Sequence, residues 1–182
     1  MAAERAAEYK SECIDGYVLA MSGASRAHNV IGANTSAILN RQLADAPCEV
    51  YAADMRVKVS ATGDHTYPDV VVACRDIAFE DTEFNTLLNP TVVVEVLSPS
   101  TEAYDRGASF ERYRRIASLQ AYVLVAQDRV LVEHYLRRDD GWRDTAFDAL
   151  EQSLHLPSIA CTLPLAETYR KVRFPTAHPA RR

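Results

Sequence analysis

Lysine is scarce in this 182-residue chain: 17 of its 20 basic residues are arginine, and the lysines are Lys10, Lys58 and Lys171. A mechanism that needs a lysine therefore has three candidates. The chain also lacks a Cys-x-x-Cys pair, and no histidine stands at metal-finger spacing from Cys13, Cys48, Cys74 or Cys161. A zinc finger is excluded, and the four cysteines read as free, mostly buried thiols in a reducing cytoplasm. No apolar run approaches the roughly 20 residues of a membrane-spanning helix; the longest, VVVAC and TVVVEVL, have the length of strands. The start, MAAERAAEYKSE, is charged throughout and carries no secretory signal. A cytoplasmic protein without a membrane partner is expected. An excess of positive charge is missing too, with 25 acidic residues against 20 basic and a net charge of -5. A nucleic-acid partner must then meet a local basic patch.

What is present describes a globular protein. Hydrophobic residues make up 48% of the chain, and no linker rich in Gly, Ser or Pro divides it. One domain over residues 1–174 is expected, with a disordered tail, PTAHPARR, at 175–182. Asp15-Gly16 before YVLAM marks a turn feeding a strand. From Ser25 to Leu43, the residues Val30, Ile31, Ala37, Ile38, Leu39 and Leu43 recur at helical spacing, and Pro47 closes the stretch. In MRVKVS, Met55, Val57 and Val59 alternate with Arg56 and Lys58, the pattern of a half-buried strand. YPDVVVAC at 67–74 and TVVVEVLS at 91–98 are nearly continuous in valine, so these strands are expected in the middle of a sheet covered on both faces. A second helical stripe runs over Asp105–Ser118, followed by a central strand at 121–127 and a hairpin around Arg138 to Gly141. The fold class is α/β, a mixed central sheet flanked by helices with a β-rich C-terminal part.

Two carboxylates interrupt the most hydrophobic strands: Asp69 in Pro68-Asp69-Val70-Val71-Val72, and Glu95 in Val92-Val93-Val94-Glu95-Val96-Leu97. An isolated buried carboxylate costs several kcal/mol, about 2–7 even for an uncharged polar group, unless it is paired, neutralised or bound to a metal. One reading makes each a strand-end residue paired with a core arginine, Arg56 foremost. The other places the two strands side by side, so that Asp69 and Glu95 converge on one hard cation. Oxygen ligands without His or Cys suit Mg2+ or Mn2+, which retain water and take phosphate oxygens. Phosphodiester hydrolysis is the natural reaction for such a centre.

These residues resemble the PD-(D/E)XK nuclease superfamily, the restriction-endonuclease-like fold. More closely, the chain resembles the large bacterial family of restriction endonucleases called Uma-two. The similarity runs through DGYVLAMSGASRAHNVI at 15–31, DMRVKV at 54–59, YPDVVVAC at 67–74, PTVVVEVLSPST at 90–101 and YDRGASFERYRRIASLQAYVLV at 104–125. A bare PD-x-ExK pattern is weak, whereas this collinear set, EVLSPST above all, is distinctive. The resemblance implies a metal-dependent DNA endonuclease. Asp69 and Glu95 are its metal carboxylates, the main-chain carbonyl of Val96 is a further ligand, and a homodimer cuts both strands.

The resemblance also implies a basic residue at the site, ordinarily a lysine. Two residues beyond Glu95 stands Leu97, and in the close family the lysine comes from a stretch resembling DRGxKFxxY, where this chain has Ser109. Arg106 or Arg112, at helical spacing from Ser109, can substitute, as can Lys58 from the sheet. With no substitute, the scaffold is a catalytically inactive module that binds nucleic acid or a protein partner. His28 opens the first helix beside Ser25 and Arg26, where helix N-termini favour anions, and is a candidate to meet the substrate phosphate; otherwise it is a packed or solvated residue beside a capping Ser25. The cluster Arg112, Arg114 and Arg115, with Tyr113 between, is a candidate nucleic-acid contact or a solvated helix face. His65, His134, His155 and His178 have no metal-ligand spacing.

Overall fold

The computed structural model describes residues 11–14, 17–20, 24–59, 64–80, 82, 83 and 85–174. The expected Asp15-Gly16 turn, Lys10 and the 175–182 tail lie outside them. In chain order the first part runs β1 (Ser11–Ile14), β2 (Tyr17–Ala20), α1 (Arg26–Gln42), β3 (Cys48–Ala52), β4 (Arg56–Lys58), β5 (His65–Thr66), β6 (Val70–Cys74), β7 (Thr86–Leu87) and β8 (Val92–Leu97). A helical segment follows, α2 (Glu102–Tyr104), a π-helical turn (Asp105–Ser109) and α3 (Phe110–Tyr113). The chain then forms β9 (Ala121–Ala126), β10 (Val132–Arg138), β11 (Gly141–Phe147), β12 (Ser153–Leu156), β13 (Cys161–Pro164) and α4 (Leu165–Thr168).

Helix α1 forms where its apolar spacing predicts, buries Ile31, Ile38 and Leu39, and is capped by Ser25, whose hydroxyl accepts from the His28 N–H. The central sheet has the order β11-β10-β9-β8-β6-β3. It is mixed, because β8 and β9 are parallel while its other pairs are antiparallel. The valine runs of β6 and β8 are its middle. Val70, Val72, Val92, Val94 and Val96 face α1 and the β12–β13 hairpin, while Val71, Val93, Tyr122 and Leu124 face Phe110, Tyr113 and the small sheet carrying Val57 and Leu87. Covering on both faces explains why these strands show no polar alternation. The β10–β11 hairpin closes at Gly141, whose φ of +129° suits glycine.

Three expectations change. The second helical segment starts at Glu102 and ends at Tyr113, not at Ser118. Its end is fixed by the Arg137 guanidinium, which donates to the carbonyls of Arg114, Ile116 and Leu119 and so satisfies the backbone where the helix stops. The half-buried alternation expected of MRVKVS gives way at Arg56, which is buried along with Val57, since β4 lies between β5 and β7 in the small sheet and Arg56 Nε donates to Thr86 Oγ1 at 2.8 Å.

The third concerns the cysteines. Cys48 and Cys74 form a disulfide, because the β3/β6 register sets them directly opposite each other; Cys161 is a buried free thiol. The argument from four free thiols to a reducing cytoplasm therefore loses two of them. Closing a loop of sequence separation 26 stabilises the fold by about 3–4 kcal/mol on chain-entropy grounds. A Cys48→Ala/Cys74→Ala variant is accordingly expected to unfold at lower urea concentration by that free energy, with dithiothreitol producing the same shift in the wild type. Among the described residues no helix is long and apolar enough to cross a membrane.

Candidate functional site

The β6/β8 register pairs Val70 with Val94. Continued by one residue, it sets Asp69, just before β6, opposite Glu95 within β8. Each carboxylate is bonded to the backbone of the other strand: Glu95 Oε2 accepts from the Asp69 N–H at 3.3 Å, and Asp69 Oδ2 accepts from the Val96 N–H at 2.7 Å. These reciprocal bonds hold the two acids in one place. Both acids are half-buried rather than enclosed, and the main-chain N–H groups satisfy part of their hydrogen-bonding capacity.

His28 comes to the same place from the first turn of α1. Its Nε2 lies 3.2 Å from Asp69 Oδ2. Burial alone pulls the His28 pKa down, but the Asp69 hydrogen bond and charge, the charge of Asp105 and a hydrogen bond to the main chain of Val96 outweigh it, so the net shift is upward. A raised histidine contributes stability that is fully present below its unfolded pKa of about 6.5 and is lost as pH rises through the folded value. The stability difference between wild type and His28→Gln, read from urea melts, is expected to be larger at pH 6 than at pH 8.5.

The helical segment supplies further groups, because residues four apart share one face of it. Asp105, Ser109 and Tyr113 are the buried set, with Phe110 beside them, while Arg106 and Arg112 fall outside that face. Tyr113 donates to Glu95 Oε1 at 3.2 Å. On β9 the Tyr122 hydroxyl donates to the Asp105 carbonyl at 3.1 Å and is hydrogen-bonded to Ser109. Burial first, then the charges of Glu95 and Asp105, push the Tyr122 pKa well up. Ser109 thus lies beside a tyrosine that feels the Glu95 charge, and Asp105 is a third carboxylate near the site. A carboxylate at the start of a π turn is the signal that sequence does not display.

The other candidate cations have glutamate partners. Arg106 pairs with Glu133 and with Glu102, and Lys58 pairs with Glu80. Arg112 donates to the Ala108 carbonyl at 3.2 Å, and Arg114 pairs with Glu111. Of the remaining histidines, His134 is buried on β10 with its pKa pushed down to about 4 by burial and by Arg138.

Among the described residues no three His, Cys, Asp or Glu side chains are grouped to enclose an ion. The donors on offer are two carboxylates and the main chain of Val96. That sparse, all-oxygen set fits a hard cation that keeps most of its water.

A model of the Uma2 family, described as putative restriction endonuclease, matches residues 1–166. The chain belongs to this family. The uncharacterized protein slr1290 of Synechocystis sp. is 38% identical over 166 residues, 91% of this chain and 86% of its own. The uncharacterized protein sll1609 of the same organism is 36% identical over 137 residues, 75% of this chain and 77% of its own. A putative nuclease belonging to DUF820 from Anabaena variabilis has a crystal structure that superposes with a TM-score of 0.75 at 18% identity, covering 90% of this chain and 91% of that one. The mixed sheet of this Uma2 chain is therefore a nuclease-like fold.

Proposed function

We propose that the chain is a metal-dependent endonuclease that hydrolyses DNA phosphodiester bonds, with Asp69, Glu95 and the Val96 carbonyl holding Mg2+ or Mn2+. The observation that supports this most is the reciprocal bonding of Asp69, just before β6, and Glu95, within β8, across the two neighbouring strands. When bound, such an ion supplies an acidified water and positive charge against the transferring phosphate. The chain's own groups bind and orient. His28, hydrogen-bonded to Asp69 at the N-terminus of the 17-residue α1, is proposed to meet a phosphate oxygen there, where the helix dipole favours an anion. The cation that a lysine provides in the nuclease pattern is left to Arg106 or Lys58, each of which has to exchange a glutamate for phosphate. Arg112, Arg114 and Arg115 are the candidate backbone contacts, and cutting both strands of a duplex calls for a homodimer.

Incubating plasmid with the protein and Mg2+ or Mn2+ tests the reading against Asp69→Ala. Nicking or linearisation by the wild type alone is expected, and equal cleavage by both proteins defeats the assignment. A second reading, a nucleic-acid- or protein-binding module without cleavage, draws on the pairing of Lys58 with Glu80 and on serine at position 109. Intact DNA binding with no uptake of millimolar Mn2+ favours the module.

A further inference from the structure

We infer that Tyr113, held in place by Thr66, is the positioning residue that orients the Glu95 carboxylate. Tyr113 is completely buried, on the inward face of α3. Its hydroxyl lies 2.6 Å from Thr66 Oγ1 and 3.2 Å from Glu95 Oε1. An ionised carboxylate only accepts, so the single phenolic proton goes to Glu95, and Thr66 donates its own proton to the Tyr113 oxygen. The chain of donors therefore runs in one direction, from Thr66 through Tyr113 to Glu95.

The geometry gives this chain a purpose beyond satisfying a buried phenol. Each oxygen of Glu95 has its own donor, Oε1 the Tyr113 hydroxyl and Oε2 the Asp69 N–H. A glutamate otherwise free about three torsions is set in one orientation before any ligand arrives, and its ordering entropy is met on folding. Thr66 belongs to β5 of the small sheet and Tyr113 to α3, so two separate elements are brought to an acid carried by a third, β8.

The inference rests on the reading of Glu95 as a metal ligand, and two measurements on the full chain separate the two claims. Calorimetry with Mn2+ is expected to show binding by the wild type, weakened about 10-fold or more in Tyr113→Phe, as is usual when an outer partner of a ligand is removed. Thr66→Val is expected to weaken binding less, because Tyr113 can still donate to Glu95. Both variants are expected to retain a cooperative melt. Wild-type affinity in a folded Tyr113→Phe overturns the inference. In the metal-free protein, the Tyr113 hydroxyl proton is expected to give a downfield NMR signal that is absent in Tyr113→Phe and moves upfield in Glu95→Gln. If the wild type takes up no Mn2+, the functional reading fails, and this signal still decides the positioning: a resonance indifferent to Glu95→Gln overturns it.

Discussion

Glu95→Gln is expected to abolish metal-dependent DNA cleavage, by about 1,000-fold or more, which is ~4 kcal/mol of transition-state stabilisation. The same substitution is expected to leave the metal-free protein as stable as the wild type, or slightly more so. Glutamine keeps the shape of the side chain but only one acceptor oxygen, which serves Tyr113 or the Asp69 N–H and not both, so one hydrogen bond of about 0.5–1.5 kcal/mol is lost and has to be offset. It removes one negative charge from a place that also holds Asp69 and the buried Asp105, where like charges at close range raise the folding free energy. Loss of activity with retained stability marks a residue kept for chemistry rather than for packing. Cleavage rates in Mn2+ and thermal melts in EDTA read the two halves. A Glu95→Gln protein that melts well below the wild type makes Glu95 a structural residue.

Ser109→Lys is expected to raise cleavage by about 100-fold, the scale of one well-placed electrostatic contact to the transition state. Ser109 is nearly inaccessible and hydrogen-bonded to Tyr122, which in turn feels the Glu95 charge. A lysine starting there extends along the inward face toward the carboxylates, in the position where the family stretch DRGxKFxxY carries one. Burying part of the longer side chain is expected to cost about 1–3 kcal/mol of stability, so the rate is compared at a temperature where both proteins are folded. Arg106, by contrast, is anchored at both ends of its guanidinium by Glu133 and Glu102. An unchanged rate in Ser109→Lys shows that more than a cation is missing from this site.

How far the sequence reads the structure depends on which interactions encode each feature. Helix α1 and the strands β6, β8 and β9 were legible because periodicity and unbroken valine runs report directly on which faces are covered. Asp69 and Glu95 were legible as interruptions of those runs. That they face one another was an expectation, and it is the antiparallel register of β6 and β8 that makes them opposite. The Cys48–Cys74 bond depends on the register of β3 against β6, which leaves no local pattern. The inward position of Tyr113 beside Ser109 was legible from helical spacing, whereas Asp105, buried at the start of the π turn, was not singled out because nothing local distinguishes it from a solvated acid. Thr66 joins through a two-residue strand too short to announce itself.

Crystals of the protein soaked in Mn2+ and measured for anomalous scattering test the central claim most directly. The account predicts one strong anomalous peak bounded by the carboxylates of Asp69 and Glu95 and the Val96 carbonyl, lost in Glu95→Gln. No peak there at millimolar Mn2+, or a peak that persists in Glu95→Gln, would contradict it.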